Sequence, residues 1–494
     1  MDLSRIAALR ATPVPPALHL IDGAACPASD GGTMTARSPI DGSALTTLAR
    51  GTVADADAAV AAARRAFDDG RWSGLAPAER KRILLRWADL IEARALDLAV
   101  LGVRENGTEI AMALKAEPLS AAATIRYYAE AIDKLTGEIA ATPPGTLGLV
   151  HREPAGVVAA IVPWNFPLMI GAWKLGPALA AGCSVVLKPA ETAALTLLRI
   201  AELALEAGLP PGVLNVVTGE GPVVGAALAA SMDVDVLVFT GSGATGRKLL
   251  EAAARSNLKR VYLELGGKSP NIVFADAPDL DEAAAVSAAG IFRNAGQVCI
   301  AGSRLLVERS VHDAFVEKLA AHATALRVGD PLDPATGAGA LNSEAQLARS
   351  LRFVAEARAQ GRRIVTGGDR ILPETGGYYM APTVVADVRP DDRLAREEVF
   401  GPVLAVTPFD TEDEAIALAN GTDYGLAAAV WTGNLGRAHR MVRRLRAGLV
   451  HVNTYGGSDL TVPLGGVKQS GNGHDKSLHA FDKYLDLKTA WIKL

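Results

Sequence analysis

The sequence predicts an α/β protein with a doubly wound parallel sheet, a second α/β domain and a small β element. Between residues 156 and 265, short apolar runs alternate with amphipathic helical stretches, and a similar alternation returns after residue 269. The apolar runs are nearly continuous in Val and Ile. Continuous runs are typical of strands covered on both faces, and strict alternation implies parallel strands joined by right-handed crossovers.

Each element is predicted from its local pattern of apolar residues and turn formers. Thr52 is a candidate N-cap for the first long helix, and a further helical stretch covers 77–105. The predicted strands of the first sheet are 157–162, 184–187, 213–217, 234–239 and 261–265, with helices at 168–181, 192–207, 222–230 and 245–254. In the second domain, strands are predicted at 271–274, 303–307 and 403–409.

Two segments belong to neither domain. Residues 136–152 are predicted to form a hairpin around Pro143-Pro144-Gly145, and the tail 484–492 alternates like a strand. A terminal strand needs a partner, and pairing between subunits is one way to cover its edge.

Composition favours a globular protein that binds a small molecule. Apolar residues make up 49% of the 494 residues and charged residues 21%, and the net charge is only -4. No stripe of Lys or Arg indicates binding to nucleic acid or to an anionic membrane. The length favours two or three domains.

Cysteine usage and the apolar segments favour a cytoplasmic protein. The three cysteines are scattered, without a Cys-x-x-Cys pair, and no secretory signal is recognised near the N-terminus. Residues 154–173 carry no charge over about the length of a membrane span. Pro163, Asn165 and Pro167 would break such a helix, so a buried strand followed by a loop is predicted instead.

A glycine-rich turn, Gly241-Ser242-Gly243-Ala244-Thr245-Gly246, follows a predicted strand and precedes a helix. This context places backbone N–H groups and a helix N-terminus where a pyrophosphate can bind, although the motif alone also fits a bare turn. The dinucleotide fingerprint has an acid about 20 residues later that binds ribose, and Glu264 is near that position.

Cys299 is the candidate nucleophile. Lone cysteines are usually small buried residues, which is the interpretation for Cys26 and Cys183. Cys299 differs because nearby glycines permit close approach of a ligand, but the sequence cannot show whether its thiol is activated. Asn165, held between two prolines, is either a cap or a fixed amide donor for an oxyanion.

Several motifs occur together and in a set order. They are Pro163-Trp164-Asn165-Phe166-Pro167, Lys188-Pro189-Ala190-Glu191, Phe239-Thr240-Gly241-Ser242, Leu263-Glu264-Leu265-Gly266-Gly267-Lys268, Gly296-Gln297-Val298-Cys299, Glu398-Val399-Phe400-Gly401-Pro402 and Gly465-Gly466-Val467-Lys468. With these motifs the chain resembles the aldehyde dehydrogenase superfamily over nearly its whole length.

The resemblance implies NAD-dependent oxidation of an aldehyde to a carboxylate. Cys299 would attack the aldehyde, Asn165 and the Cys299 N–H would hold the oxyanion, and Glu264 would activate the water that hydrolyses the thioester. This role replaces the ribose role of Glu264. The implied cofactor residues are Trp164, Lys188, Glu191, Gly241, Ser242, Gly246, Glu398 and Phe400.

The resemblance also bears on cofactor and product. The carboxylate of Glu191 would repel a 2′-phosphate, so NAD is favoured over NADP. An acid at position 264 favours a free carboxylate product over an acyl-coenzyme A.

The C-terminal motifs are similar to those of dehydrogenases for γ-glutamyl-γ-aminobutyraldehyde and other ω-aminoaldehydes in polyamine breakdown. Asp459 would attract the distal amine, although a loop Asp is often only a turn former. The other implied substrate residues are Phe166, Trp173 and Leu464. Leu464, Val467 and His474 depart from the usual Phe, Tyr and Arg of the family.

The implied organisation is an NAD-binding domain at 1–135 and 153–265, a catalytic domain at 266–466, and an oligomerisation element at 136–152 and 481–494. A homo-dimer or homo-tetramer is expected. Eight scattered histidines offer no metal motif, and no Gly-x-Ser-x-Gly elbow occurs. The remaining alternatives are broader aldehyde specificity, a thiol-dependent hydrolase or acyltransferase, and a nucleotide-binding protein without activity.

Overall fold

The computed structural model describes residues 2–494 and contains two seven-stranded sheets and three smaller ones. The strands are β1 (His19–Ile21), β2 (Ala24–Cys26), β3 (Thr33–Arg37), β4 (Ala44–Ala49), β5 (Glu138–Ala140), β6 (Thr146–Pro154), β7 (Val157–Ile161), β8 (Ser184–Lys188), β9 (Leu214–Val216), β10 (Val236–Gly241), β11 (Arg260–Leu265), β12 (Pro270–Val273), β13 (Arg304–Glu308), β14 (Arg363–Thr366), β15 (Arg370–Ile371), β16 (Tyr379–Met380), β17 (Thr383–Ala386), β18 (Val403–Phe409), β19 (Ala427–Trp431), β20 (Leu449–Val452) and β21 (Leu485–Lys493).

The α-helices pack on the faces of these sheets. They are α1 (Leu3–Ala11), α2 (Val53–Asp68), α3 (Pro77–Ala93), α4 (Ala95–Asn106), α5 (Ile110–Leu114), α6 (Ser120–Ala131), α7 (Pro167–Ala181), α8 (Leu195–Ala207), α9 (Ala226–Ala230), α10 (Gly243–Arg255), α11 (Leu280–Phe292), α12 (His312–Ala325), α13 (Glu344–Ala359), α14 (Arg393–Arg396), α15 (Glu412–Asn420) and α16 (Leu435–Arg444).

The first sheet has the order β11-β10-β7-β8-β9-β1-β2, and its first five strands are parallel. Every residue of β7 and β8 is buried, because helices cover both faces. The five predicted strands are confirmed, with ends shifted by at most two residues. Thr52 caps α2 through a reciprocal capping box with Asp55, as predicted.

Two predicted helices differ from the observed ones. The stretch 77–105 is two helices, α3 and α4, because Arg94 between them has φ -108° and ψ 18°, outside helical geometry. The helix predicted at 222–230 begins as a π-helical turn, Gly221–Gly225, before α9. Both breaks are backbone features without a clear signature in the apolar pattern.

The second sheet has the order β14-β17-β18-β13-β12-β19-β20. All of its neighbouring pairs are parallel except β14 with β17. The strands predicted at 271–274, 303–307 and 403–409 correspond to β12, β13 and β18. The fold is therefore the α/β arrangement with parallel sheets that the sequence predicts.

The C-terminal strand pairs within its own chain. β21 runs antiparallel to β6 along its whole length, from Leu485 opposite Pro154 to Lys493 opposite Thr146, and β5 lies on the other side of β6. The tail is a strand, as predicted, and its partner along this edge lies in the same chain rather than in another subunit. Its other edge remains open, and Trp491 is 65% exposed there.

A bend between α5 and α6 shapes the neighbourhood of the site. Residues Lys115–Leu119 form a π-helical turn that contains Pro118, a residue without an N–H to donate. The buried Glu117 carboxylate accepts hydrogen bonds from the N–H groups of Leu168 (2.6 Å) and Met169 (3.1 Å). These bonds hold the bend against the first turn of α7. Burial raises the pKa of Glu117 to about 8.

Within residues 2–494, no helix is both long and apolar enough to cross a membrane.

Candidate active site

The candidate site lies where the first sheet ends and the second begins. Glu264 is the penultimate residue of β11, and the chain continues through Gly267 into β12. A Cβ atom on Gly267 would lie 2.8 Å from the carbonyl oxygen of Cys299, so the glycine lets the two segments touch. The loop after β7 and the loop before β13 meet at the same place. Residues from three distant parts of the sequence are thereby brought together.

The loop that carries Cys299 has an unusual backbone. Asn294 and Ala295 both have φ 49°, and Gly296 has φ 74°. A Cβ atom on Gly296 would lie 2.2 Å from the carbonyl oxygen of Gly401, so only glycine fits. Consecutive left-handed residues cost free energy and persist where the surroundings impose them, often at functional sites.

Polar contacts hold this loop in place. Thr108 donates to the side-chain oxygen of Asn294 at 2.8 Å, and Glu109 accepts from the Asn294 N–H at 3.1 Å. The Gln297 side-chain oxygen accepts from the Asn342 N–H at 2.8 Å. These hydrogen bonds fix the loop at Asn294 and Gln297, just before Cys299.

Asn165 is buried and reaches this loop from the first sheet. Its side-chain NH2 donates to the Gln297 carbonyl oxygen at 2.9 Å, and the Asn294 side chain donates to the Asn165 carbonyl oxygen at 3.3 Å. An amide NH2 has two donors, and only one is used by the described residues. The second N–H of Asn165 is available beside Gln297, which precedes the candidate nucleophile Cys299 by two residues.

Cys299 is half-buried and lies in the wall of a cavity of about 380 Å³. Burial, followed by the negative charges of Glu398 and Glu264, raises the pKa of its thiol to about 12. The thiol is therefore protonated at neutral pH in the absence of ligands. A proton acceptor must act before the sulfur can attack.

Glu264 is a buried carboxylate, 8% exposed, beside the same cavity. Burial, followed by the charge of Asp475, raises its pKa well above the usual range, while Lys174 and Lys483 act in the opposite direction. Its Oε1 atom finds no hydrogen-bond partner among residues 2–494. A desolvated carboxylate with one free oxygen is suited to take a proton from water.

A buried trio of charges lies behind Glu264. Asp475 forms ion pairs with both Lys174 and Lys483, and all three side chains are at most 4% exposed. Lys174 comes from α7, whereas the other two come from the C-terminal segment. The two ion pairs therefore join the C-terminal segment to α7 close to Glu264.

Changing Asp475 to Asn should lower the free energy of unfolding by about 3 to 5 kcal/mol, because two buried ammonium groups lose the carboxylate with which both form ion pairs. Urea denaturation followed by circular dichroism measures the change. The matched control is Asp482→Asn, whose carboxylate is 69% exposed, and it should change stability by less than about 1 kcal/mol. A loss as small as that for Asp475→Asn would contradict the structural role of the trio.

The residues implied for the adenosine end of a dinucleotide lie at the carboxyl end of β8. Lys188 donates to the Glu191 carboxylate at 3.2 Å, and that carboxylate also accepts from the Gly221 N–H at 2.6 Å. Glu191 is 38% exposed and faces the edge where α/β sheets bind ligands. Burial lowers the pKa of Lys188.

The glycine-rich turn fits a pyrophosphate. Ser242 is the N-cap of α10, and its hydroxyl accepts from the Thr245 N–H at 3.3 Å. A Cβ on Gly246 would lie 3.1 Å from Leu265, so this glycine lets α10 pack closely on β11. A Cβ on Gly241 would collide with the Phe239 ring at 2.4 Å. The helix N-terminus is thereby open to an anion.

The residues implied for the nicotinamide end lie on the Cys299 side. Glu398 accepts from the Gly267 N–H at 3.0 Å, and burial raises its pKa to about 7. The Phe400 ring meets Trp164 edge-to-face with centroids 5.3 Å apart. Phe400 has φ 59°.

Three of the four predicted substrate residues line the cavity, namely Phe166, Trp173 and Leu464. Asp459 does not line it. Its carboxylate is exposed and accepts from the N–H (2.8 Å) and the hydroxyl (2.6 Å) of Thr461, which is the turn-forming arrangement.

Within the described part of the chain, no three His, Cys, Asp or Glu side chains are grouped so that they could hold a metal ion.

The sequence model of the aldehyde dehydrogenase family matches residues 27–490. The chain belongs to the aldehyde dehydrogenase family. It is 52% identical over 474 residues to the NADP/NAD-dependent aldehyde dehydrogenase PuuC of Escherichia coli strain K12, covering 96% of this chain and 95% of that one.

Two solved structures are similar over the whole length of both chains, each with a TM-score of 0.98 and 53% identity. One is an indole-3-acetaldehyde dehydrogenase in complex with NAD+. The other is the γ-glutamyl-γ-aminobutyraldehyde dehydrogenase of Burkholderia cenocepacia J2315. The fold and the family predicted from the sequence are therefore confirmed.

Sequence reasoning missed one whole wall of the cavity in this aldehyde dehydrogenase. That wall is formed by α5, the bend and α6, and its residues are Met112, Ala116, Ser120, Ala123 and Thr124. Pro118 within a helical pattern was the available signal. Arg293 and Lys476, which also line the cavity, were missed as well.

Proposed function

We propose that this aldehyde dehydrogenase oxidises an ω-aminoaldehyde or γ-glutamyl-γ-aminobutyraldehyde to the carboxylate with NAD, using Cys299 as nucleophile. One observation carries the proposal. The Cys299 thiol lines a largely apolar cavity, Glu264 lies close enough for its charge to act on that thiol and has an unpartnered oxygen, and Asn165 has a free amide donor.

The residues of the chain divide the chemistry between them. The Cys299 thiol gives its proton to water, its sulfur attacks the aldehyde carbon, and the new oxyanion accepts from the free N–H of Asn165 and the Cys299 N–H. A nicotinamide held by Glu398 and Phe400 would supply the acceptor for the hydride of that carbon. Glu264 then takes a proton from water, which attacks the thioester carbon, releases the carboxylate and regenerates the Cys299 thiol.

The cofactor residues support NAD over NADP. The Glu191 carboxylate lies at the edge where the adenosine ribose is expected, and a 2′-phosphate there would meet its charge. Lys188 holds Glu191 in place at 3.2 Å. The PuuC relative is described as NADP/NAD-dependent, so some use of NADP is compatible with the same architecture.

Two relatives support different substrates. The Burkholderia cenocepacia relative is a γ-glutamyl-γ-aminobutyraldehyde dehydrogenase and has the same fold at 53% identity. The indole-3-acetaldehyde dehydrogenase acts on an aromatic aldehyde at the same identity. The largely apolar cavity wall with Phe166 and Trp173 keeps broader specificity as the second candidate.

The purified protein should reduce NAD when an aldehyde is added, which absorbance of NADH measures directly. The panel should contain a γ-glutamylated aminoaldehyde, free aminoaldehydes, aliphatic aldehydes and an aromatic aldehyde. NAD should give a higher kcat/KM than NADP because of Glu191. No reduction of either cofactor with any aldehyde would remove the proposal and favour a non-redox thiol enzyme.

We also propose a homo-dimer or homo-tetramer that assembles through the hairpin 136–152 and the tail 481–494, in the cytoplasm. The support is the open edge of β21 with exposed Leu487 and Trp491, and three free cysteines. The division into an NAD-binding domain (1–135 and 153–265) and a catalytic domain (266–466) is part of the same proposal.

A further inference from the structure

Two cationic side chains line the cavity, and no carboxylate does. Arg293 and Lys476 are the charged residues of the wall, while the other lining residues are apolar or uncharged, with Cys299 among them. Burying an unpaired charge in a mostly apolar cavity costs free energy. The presence of two cations in this wall therefore needs a functional explanation.

Arg293 begins the loop that leads to Cys299. It is half-buried, and burial lowers its pKa, partly offset by the charges of Tyr455, Cys299 and Glu109. No hydrogen bond joins its guanidinium to the residues that the structure describes. A Cβ on Gly456 would lie 3.4 Å from its Nη1 atom. A guanidinium has five N–H donors in a fork that matches a carboxylate, and here they face the cavity.

Lys476 lies beside the same cavity, further along the chain. Its ammonium donates to the carbonyl oxygen of Ser458 at 2.6 Å and to the Ser458 hydroxyl at 2.8 Å, and it stands 5.9 Å from the centre of the Trp173 ring. Two of its three donors are thus used. Lys476 and Ser477 have φ 65° and 49°, so the backbone is held in a strained form that presents this side chain.

Neither Asp475 nor Asp459 forms an ion pair with these cations. Asp475 is already shared by Lys174 and Lys483 in the buried trio. Asp459 turns its carboxylate to Thr461 at the exposed rim. Burial lowers the pKa of Lys476 to about 8, while Asp459 and Asp475 raise it, so the ammonium keeps most of its charge at neutral pH.

One short segment brings the two cations together. Gly456 packs against Arg293 and Ser458 binds Lys476, and these two positions are separated by about 7 Å of chain at most. Gly457 and Ser458 themselves line the cavity. Both cations therefore border the same short stretch of the cavity wall.

We propose that Arg293 and Lys476 form a subsite for a carboxylate at the far end of the aldehyde. The inference rests on the proposed function and narrows it to aldehydes with a distal carboxylate. A γ-glutamylated aminoaldehyde satisfies this requirement, since its former amine is a neutral amide and its glutamyl end carries an α-carboxylate next to its α-ammonium group. A free ω-aminoaldehyde brings a third cation to the same wall and is disfavoured.

The test compares three aldehydes of equal chain length, 5-oxopentanoate, pentanal and 5-aminopentanal, by kcat/KM with NAD. The carboxylated aldehyde should exceed pentanal by about 10- to 100-fold, as expected for charge-assisted hydrogen bonds, and the amine should be the poorest. A preference for the amine, or equal use of all three, would overturn the subsite. No turnover of any of them would instead count against the proposed function.

Arg293→Gln and Lys476→Met should each lower the ratio of kcat/KM for 5-oxopentanoate to that for pentanal by about 10-fold. Arg293→Lys should restore part of the ratio. The matched control is Arg352→Gln on α13, which removes an equal charge from an exposed position and should leave the ratio unchanged. If Arg293→Gln slows both aldehydes equally, Arg293 acts on the Cys299 thiolate or on the fold, and the subsite is refuted. Arg293→Gln alone decides the question if Lys476→Met does not fold.

Discussion

Cys299→Ala should abolish aldehyde oxidation while leaving dinucleotide binding intact. Cys299 carries the only thiol among the described residues that line the cavity, and removing a catalytic nucleophile typically costs 10⁴-fold or more in kcat, to about 10⁶-fold. The residues implied for the dinucleotide, Lys188 and Ser242 among them, are on other loops and keep their contacts. Steady-state NADH production measures the first effect, and quenching of protein fluorescence by NAD measures the second.

Cys26→Ala is the matched control. Cys26 is also a partly exposed free thiol, but it lies in β2 at the far edge of the first sheet. It should retain the activity of the unmodified protein. Substantial NADH production by Cys299→Ala would remove this residue as nucleophile, and with it the mechanism.

Glu264→Gln should slow hydrolysis of the thioester by about 10²- to 10⁴-fold, the range typical of a lost general base. Acylation should proceed, so a burst of NADH equal to the enzyme concentration is expected, followed by slow turnover. Glutamine retains the size and polarity of the side chain but cannot accept a proton from water. Rapid mixing separates the two phases, and mass spectrometry detects the acylated Cys299.

The pH dependence of deacylation provides a second readout. Burial and Asp475 raise the pKa of Glu264, and only the deprotonated form acts as a base. Deacylation should therefore increase as pH rises through that raised pKa, and the increase should be absent from Glu264→Gln. Glu251→Gln, an exposed acid on α10, serves as control. An unchanged steady-state rate in Glu264→Gln would refute the base role.

The fold was predictable because its sheets are buried on both faces. Continuous Val and Ile runs such as β7 and β8 have few alternatives to a central parallel strand. The helix breaks at Arg94 and at the bend around Pro118 were harder, since both depend on packing against distant elements. The partner of β21 was not predictable, because β6 lies more than 300 residues earlier and pairing over that distance leaves no local pattern.

The chemistry-bearing residues were predictable to a smaller extent. Cys299, Asn165 and Glu264 lie in motifs that resemble the family, and the structure shows what the motifs cannot, namely the left-handed loop that holds Cys299 and the free oxygen on Glu264. Nothing close to Arg293 in the sequence predicts a place in the cavity wall, since the segment around Gly456 that lies beside it comes 163 residues later.

The walls of the cavity are formed by separate structural elements. The reacting groups are fixed by loops at the ends of the two sheets, whereas Ala116, Ser120 and Ala123 belong to the kinked helical stretch around Pro118. Larger or smaller residues at these three positions would alter the room for a substrate without moving the sulfur. A new aldehyde preference can therefore arise by mutation at one wall while the catalytic apparatus remains the same.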